Sequence, residues 1–186
     1  MLRGVRYSND YRKLDNAYRM ADPWLMTSPA EQFRFTETNR LIRVQFGRVH
    51  SLLEIGCGEG HQSLYLQQVC DGLTGLDVSA RAVKRASSRC PQAKFLVGDI
   101  FSQEVSALAP FDLVVACEVL YYMSDLPAIL QRMQTICRSG LVTYFEGERE
   151  TIQQYVLEFL PRTFGEIIEF EQTRWHVLWW HALHKP

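Results

Sequence analysis

The sequence lacks the features that mark membrane-spanning, secreted and nucleic-acid-binding proteins. No apolar run reaches the roughly 18 residues that a membrane helix needs. Residues 1–8 contain neither the apolar stretch nor the cleavage site of a secretory signal. Lysine and arginine number 20 against 21 aspartate and glutamate, which gives a net charge of −1. Because there is no basic excess, we do not expect a nucleic acid as a partner, and the absence of a long apolar run argues against a membrane.

Paired cysteines are also missing. The 5 cysteines are odd in number and show no C-x-x-C spacing, which disfavours both a disulfide framework and a zinc site. We therefore expect free thiols in a reducing cytoplasm, and no metal ion. The sequence contains no repeat, low-complexity tract or internal linker. A chain of 186 residues with 47% hydrophobic content is long enough for one core and one domain.

The chain is organised around a strand, a glycine-rich loop and a helix. Residues 52–55 form a short run, apolar except for Glu54, that is typical of a buried strand, and residues 61–70 have helical spacing. Between them, glycine occupies alternate positions: Gly56, Gly58 and Gly60. Glycine allows a sharp turn and a close approach of the backbone to a ligand, and a helix N-terminus offers unpaired N–H groups. This pattern is typical of a mononucleotide-binding unit.

Strands and helices alternate after this unit. Four more strands are predicted, at residues 73–77, 94–99, 111–117 and 141–145. Helices are predicted from Ser79 to about Arg89 and from Ser124 to near Gly140. The alternation predicts an α/β fold with a doubly wound, mostly parallel sheet. Two final strands, at 163–170 and 174–183, are expected to form its last pair, and we expect the large apolar residues of the second to belong to the core.

Four motifs in this order resemble those of the class I S-adenosylmethionine-dependent methyltransferases. They are E-x-G-x-G-x-G from Glu54, G-x-D-x-S from Gly75, G-D-I from Gly98 and F-D-x-V-x-x-x-x-V-L from Phe111. The resemblance implies a seven-stranded, Rossmann-like sheet with an antiparallel terminal hairpin. It also implies transfer of a methyl group from S-adenosylmethionine to a small-molecule acceptor, on nitrogen or oxygen.

Two other classes of protein share this fold. A nicotinamide-dependent oxidoreductase would use the G-x-G-x-x-G spacing, whereas this loop has G-x-G-x-G with Glu54 before it, and that carboxylate would repel a pyrophosphate. A non-catalytic partner protein with a methyltransferase fold would keep the apolar strands but lose the acids. Because Glu54, Asp77 and Asp99 are all present, an enzyme is favoured over both alternatives.

The resemblance implies a cofactor role for residues along one edge of the sheet. Asp77 would accept hydrogen bonds from the ribose hydroxyls, and Val78 would lie against the adenine. Asp99 and the N–H of Ile100 would contact the polar atoms of the adenine. The methionine ammonium would be held by Glu54 and by the carbonyl of a cysteine that ends the fourth strand. The expected set is Glu54, Gly56, Cys57, Gly58, Gly60, Asp77, Val78, Asp99, Ile100 and Cys117.

The segment before the first strand is predicted to be helical. Ser28 and Glu31 form a capping box, with proline at the first helical position and glycine after the last, so we expect a helix over residues 28–46. The whole chain is then one methyltransferase domain, residues 1–186, in which a lid of residues 1–47 precedes a core of residues 48–186.

A lid would exclude water from the carboxyl ends of the strands, where ligands bind in such sheets. Trp24 and Arg34 stand near the start of the predicted helix and are therefore expected to contact the cofactor. The arginine would pair with its carboxylate, and the indole would shield its sulfonium. The alternative is a solvated helical decoration with no part in binding.

The acceptor side is harder to predict, because methyl transfer needs a general base only if the nucleophile arrives protonated. Tyr121, Tyr122 and Glu146 are the expected catalytic residues, and Glu118 and Tyr7 are further candidates. We expect His176 to be a hydrogen-bonded structural histidine.

A narrower resemblance concerns the nodulation-type N-methyltransferases, which methylate the amino sugar of a chitooligosaccharide. It rests on the sequence Asp22-Pro-Trp24 and on the following E-x-x-R from Glu31. The short link over residues 146–149 implies an open cleft, or a site that a partner protein completes. The sequence names neither the acceptor nor the oligomeric state.

Overall fold

The computed structural model describes residue 8, residues 10–160 and residues 162–181. Within them, seven strands form one sheet in the order β3-β2-β1-β4-β5-β7-β6. The strands are β1 Val49–Ile55, β2 Cys70–Asp77, β3 Lys94–Val97, β4 Phe111–Cys117, β5 Cys137–Phe145, β6 Phe164–Phe170 and β7 Thr173–His181. The first five pair in parallel, whereas β7 is antiparallel to both β5 and β6. The predicted sheet with its antiparallel terminal pair is confirmed.

Helices cover both faces of the sheet. The α-helices of the described residues are α1 Tyr11–Ala17, α2 Pro29–Phe46, α3 Ser63–Leu66, α4 Ala80–Arg89, α5 Gln103–Leu108, α6 Leu126–Ile136 and α7 Arg149–Phe159. Short 3-10 turns follow β4 and β5, at Leu120–Tyr122 and Glu146–Glu148. None of these helices is both long enough and apolar enough to cross a membrane.

The core has two layers, one on each face of the sheet, because successive side chains of a strand point to opposite sides. Leu53 of β1 belongs to the layer that contains Leu130 of α6, and Leu52 belongs to the layer that contains Leu41 of α2. The aromatic end of β7 is also core, as predicted, since Trp175, Trp179 and Trp180 keep at most 6% exposure.

Helix α2 begins and ends as predicted. The Ser28 hydroxyl accepts a hydrogen bond from the Glu31 N–H, and Gly47 ends the helix with φ +71°. Its inner face includes Phe35, Leu41 and Ile42, all with 0% exposure. Because α2 supplies core residues, we propose an opening lid only for the residues before it. These residues, 10–28, are called the N-terminal segment below.

Several predicted boundaries were wrong. The helix after the glycine loop spans only α3, because β2 begins at Cys70 and leaves no room for the ten-residue helix that was expected. Helix α5, capped by the Ser102 hydroxyl, was not predicted at all. Strand β5 begins at Cys137, directly after α6, so the helix ends before Gly140. The predicted end of the last strand, residues 182–183, lies outside the described residues.

Candidate active site

A cavity of about 480 Å³ lies between the N-terminal segment and the carboxyl ends of β1, β2 and β4. Twelve of the residues predicted for cofactor or catalysis lie on its wall: Trp24, Arg34, Gly56, Cys57, Gly58, Asp77, Val78, Asp99, Ile100, Cys117, Tyr121 and Tyr122. Three others, Glu54, Gly60 and Glu146, are not among the wall residues of the described chain. Tyr7 lies outside the described residues.

The glycine loop owes its shape to left-handed backbone at two positions that face the cavity. Gly56 has φ +72° and Gly58 has φ +52°, a region that side chains with a Cβ rarely adopt. A Cβ at Gly56 would lie 2.4 Å from Val119, and one at Gly58 would lie 2.8 Å from the hydroxyl of Tyr18. Gly60 serves packing instead, because a Cβ there would lie 3.0 Å from the Ala86 backbone of α4.

Asp77 joins this loop to the end of β2. One carboxylate oxygen accepts the Gly58 N–H and the other accepts the Ser79 N–H, each at 2.9 Å. Burial raises the pKa of Asp77 to about 6, although both backbone hydrogen bonds favour the ionised form. A carboxylate has about four lone-pair sites, so Asp77 keeps acceptor capacity for groups in the cavity.

Glu54 lies behind the loop, with 3% exposure. Its carboxyl accepts a hydrogen bond from the Ser63 hydroxyl of α3. Burial raises its pKa to about 8, against the favourable influence of Ser63 and of the Arg34 charge. Since Glu54 does not reach the cavity wall, a contact with a ligand would need an intervening water.

Asp99 lies on the cavity wall just after β3, the strand at one edge of the sheet. Its Oδ1 accepts the N–H of Phe101 at 2.9 Å. Burial, together with the nearby Asp99 charge and a hydrogen bond to Asp99, raises the pKa of Tyr11 in α1. The N-terminal segment therefore contacts the wall at Asp99 as well as at the glycine loop.

Arg34 is the buried cation of the site, with 1% exposure. It contacts Oε2 of Glu31 through Nε at 2.8 Å and through a terminal nitrogen at 2.6 Å, and it donates to Oε1 of Gln62 at 3.0 Å. The amide nitrogen of Gln62 is buried on the cavity wall and has no hydrogen-bond partner among the described residues. A buried donor without a partner is costly, so the site favours an acceptor group here.

Four aromatic rings form a connected group on the cavity wall: Tyr18 and Trp24 of the N-terminal segment, which we call the roof, and Tyr121 and Tyr122 of the turn after β4. The indole N–H of Trp24 donates to the hydroxyl of Tyr122 at 2.8 Å, and its ring centroid lies 4.7 Å from that of Tyr18. Tyr121 packs beside Tyr122, with ring centroids 4.8 Å apart. Tyr18 was not predicted for the site. Its only signal is that it stands on the polar stretch before Trp24, which is too weak to identify it.

Glu59 of the loop fastens the N-terminal segment to the core. Its carboxylate accepts the Asp22 N–H at 3.1 Å and forms an ion pair with Arg85 of α4, which also donates to the carbonyls of Tyr18 and Met20. His61 lies 3.5 Å from the same carboxylate. Their place beside the loop glycines suggests solvated side chains, but that expectation is wrong, since Glu59 and His61 keep only 4% and 9% exposure.

The cavity wall also contains a carboxylate that the predicted catalytic set left out. Glu118 follows β4 and accepts hydrogen bonds from the Thr143 hydroxyl at 2.9 Å and from the Tyr121 hydroxyl at 3.2 Å. Glu146, by contrast, is exposed and contacts Nε2 of His176 at 2.7 Å. That contact accounts for His176 as the hydrogen-bonded structural histidine that was expected.

This strand order, a glycine loop after β1 and an acid at the end of β2 define the class I S-adenosylmethionine-dependent methyltransferase fold. Residues 8–157 match the sequence model of the family named nodulation protein S (NodS). The chain therefore belongs to the nodulation protein S family, and the predicted class of protein is confirmed. Membership of this family disfavours the two alternative classes, the nicotinamide-dependent oxidoreductase and the non-catalytic partner protein.

The chain is similar to individual members of this family. It is 35% identical to nodulation protein S of Sinorhizobium fredii over 65% of this chain and 56% of that protein. It is also 35% identical to nodulation protein S of Bradyrhizobium diazoefficiens, over 78% of this chain and 71% of that protein. The crystal structure of the N-methyltransferase NodS from Bradyrhizobium japonicum WM9 with S-adenosyl-L-homocysteine has a TM-score of 0.75 at 24% identity, covering 92% of this chain and 97% of that one. The chain thus spans between about half and three quarters of the curated relatives.

Proposed function

We propose that the protein is an S-adenosylmethionine-dependent methyltransferase whose acceptor is the amine of a small molecule. The observation that carries the proposal is the make-up of one cavity. Its wall contains a glycine loop and Asp77 together with two further carboxylates, Glu31 and Glu118. Family membership supports the same reaction, since the Bradyrhizobium japonicum neighbour is an N-methyltransferase that holds S-adenosyl-L-homocysteine.

The residues of the wall fit S-adenosylmethionine. Asp77 would accept from the ribose hydroxyls, and the unpaired amide nitrogen of Gln62, beside Arg34, would donate to the methionine carboxylate. Val78, Asp99 and Ile100 would surround the adenine. The ammonium would meet the Cys117 carbonyl and, through water, Glu54, while the backbone of Gly56, Cys57 and Gly58 would lie along the methionine part. When bound, this cofactor supplies a methyl group that is already activated by its positive sulfur.

The chain's own contribution is to position the reactants and to exclude water. Trp24 and Tyr122 would close the cavity over the cofactor through their hydrogen bond. Alignment of two reactants in a closed site can lower the activation free energy by several kcal/mol. In well-oriented intramolecular reactions the gain reaches roughly 7–11 kcal/mol. Tyr121 and Tyr122 would flank the acceptor nitrogen. Glu146 has no place in this scheme, because its carboxylate is held by His176 away from the cavity.

We further propose that the acceptor amine belongs to an amino sugar, such as one residue of a chitooligosaccharide. Support comes from the family and from the Asp22-Pro-Trp24 and Glu31-x-x-Arg34 sequences that suggested it. We also propose a cytoplasmic location, since all five cysteines are buried free thiols.

A screen of acceptors tests the proposed function. The protein is incubated with S-adenosylmethionine and separate panels of amines, amino sugars, phenols and carboxylates, and products are identified by mass. We expect a methylated product from amines, with amino sugars the best substrates. Methylation confined to phenols or carboxylates would contradict the proposal. Calorimetry with S-adenosylmethionine and with NADH is the companion measurement, and tight binding of NADH alone would point to an oxidoreductase.

A further inference from the structure

Glu118 has an unusual backbone conformation at the edge of the cavity. It follows the last residue of β4 with φ +56°, and its N–H donates to the Thr143 carbonyl at 3.0 Å. Left-handed backbone is uncommon for a residue with a side chain, and it persists where the surrounding structure requires it. Here the next residue, Val119, packs against the glycine loop. The strained turn therefore sets the Glu118 side chain on the wall that the loop also lines.

The Glu118 carboxylate is held at a fixed place but retains acceptor capacity. Thr143 donates to Oε1 and Tyr121 donates to Oε2, which uses two of about four lone-pair sites. The side chain is only partly buried, and its residue lines the cavity. A positively charged donor that enters the cavity could therefore reach it.

The charges around Glu118 come from several elements. Arg34 and Glu31 face it from α2, Tyr121 from the turn after β4, and its neighbour Cys117 from the end of the strand. Burial raises the pKa of Glu118 to about 7, the Arg34 charge lowers it and the Glu31 charge raises it. Such a carboxyl group exchanges a proton near neutral pH, where an efficient general base operates.

Other groups are less suited to the same task. Burial and the neighbouring Glu118 charge hold the pKa of Tyr121 well above its usual value, so its hydroxyl stays protonated and donates. Glu31 is committed to Arg34 through two contacts. Asp77 and Asp99 stand at the nucleotide end of the cavity in the proposed scheme.

We propose that Glu118 is the catalytic base that takes the proton from the acceptor's ammonium group. An aliphatic amine is mostly protonated near neutral pH, and an ammonium has no lone pair with which to attack. In the proposed step one N–H bond breaks, its electron pair stays on nitrogen, and the proton passes to a Glu118 oxygen. The nitrogen is then free to accept the methyl group, and Glu118 returns its proton to water. This assignment rests on the proposed function.

The test compares Glu118→Gln with the exposed Glu150→Gln of α7, which changes the same chemical group away from the cavity. The acceptor probe is a chitooligosaccharide that carries one free amine. We expect Glu118→Gln to lower kcat by about 10²–10⁴-fold, with the melting temperature and the Kd for S-adenosylhomocysteine unchanged within about twofold. Glu118→Asp should recover part of kcat, and Glu150→Gln should match the wild type. Equal kcat for Glu118→Gln and the wild type would overturn the proposal.

A second readout needs no turnover. Carbon-13 NMR of glutamate carboxyl groups in the ligand-free protein should show a resonance that titrates with a midpoint near 7 and that is missing in Glu118→Gln. The pH dependence of kcat should rise through the same midpoint in the wild type but not in Glu118→Gln. An unchanged set of titrating resonances would overturn the assignment. A wild type that methylates no amine would contradict the proposed function itself, which separates that failure from failure of Glu118 alone.

Discussion

The indole N–H of Trp24 donates to the hydroxyl of Tyr122 at 2.8 Å, across 98 positions of the chain. One partner belongs to the N-terminal segment and the other to the turn that follows β4. The bond therefore ties the roof of the cavity to the turn after β4. Because Tyr122 also packs against Tyr121, which donates to Glu118, the roof is linked to Glu118 through a continuous set of contacts.

We expect this roof to open and close. Hydrogen exchange over residues 10–28 should slow when S-adenosylhomocysteine is added, because the ligand adds contacts beneath Trp24. Helix α2 is the internal control, since its core residues should be protected with and without ligand. The Glu59 ion pair with Arg85 should contribute, so Arg85→Ala should speed exchange of the segment in the ligand-free protein. Equal exchange of the segment with and without ligand would show that it is a fixed part of the fold and not a lid.

Asp77→Ala should weaken the binding of both S-adenosylmethionine and its demethylated product. Loss of a charged acceptor from two ribose hydroxyls costs roughly 1.5–3 kcal/mol, or about tenfold to a hundredfold in Kd. Calorimetry measures both values. Because the pKa of Asp77 is raised to about 6, its ionised form is lost as the pH falls through that value, and binding to the wild type should weaken there. Unchanged affinity in a folded Asp77→Ala protein would mean that the nucleotide lies elsewhere.

Gly58→Val should abolish cofactor binding, since its Cβ would lie 2.8 Å from the Tyr18 hydroxyl in a left-handed backbone. Gly47→Val is the matched control. Gly47 has a similar φ of +71°, but a Cβ there meets nothing within 4 Å. Both variants carry backbone strain, so both should melt at lower temperature, and only Gly58→Val should lose binding. Normal binding by a folded Gly58→Val protein would refute a ligand role for the loop.

Glu54 should make stability fall with rising pH. Its folded-state pKa of about 8 exceeds the ordinary value of 4.5, so its contribution is fully present below 4.5 and is lost as the pH rises through 8. Glu54→Gln removes the ionisable group, and with it the free-energy cost of burying a charge at high pH. Urea unfolding should therefore show that Glu54→Gln is more stable relative to the wild type at pH 8 than at pH 5, whereas Glu150→Gln should show no such trend. A constant difference between the two pH values would mean that Glu54 ionises freely in the folded protein.

The sequence predicted features that depend on local pattern. Gly56, Gly58 and Asp77 lie on the cavity wall as expected, and the Ser28 hydroxyl caps α2. Each of these features follows from a few neighbouring residues. Features that depend on long-range packing were missed. Tyr18 enters the site only because the N-terminal segment folds back over Gly58, and Glu59 is buried only because Arg85 and Asp22 meet it there.

Glu146 is a residue that the sequence wrongly assigned to the site, again because long-range packing decides its position. Its place after β5 suggested the acceptor site, but the antiparallel β7 brings His176 within 2.7 Å of its carboxylate. Pairing of β5 with β7 cannot be read from residues near Glu146 alone. Glu118 was only a further candidate from its place after β4, and its contact with Thr143 of β5 depends on strand pairing that its neighbours do not reveal.

The most direct test of the account is to follow the transferred group itself. S-adenosylmethionine labelled with carbon-13 in its methyl group is incubated with the wild-type protein and a chitooligosaccharide that carries one free amine. The account predicts a new methyl resonance at an N-methyl chemical shift, with loss of the sulfonium methyl signal and none of this change in a sample without protein. A new resonance at an O-methyl shift, or an unchanged sulfonium signal with every amine tested, would contradict it.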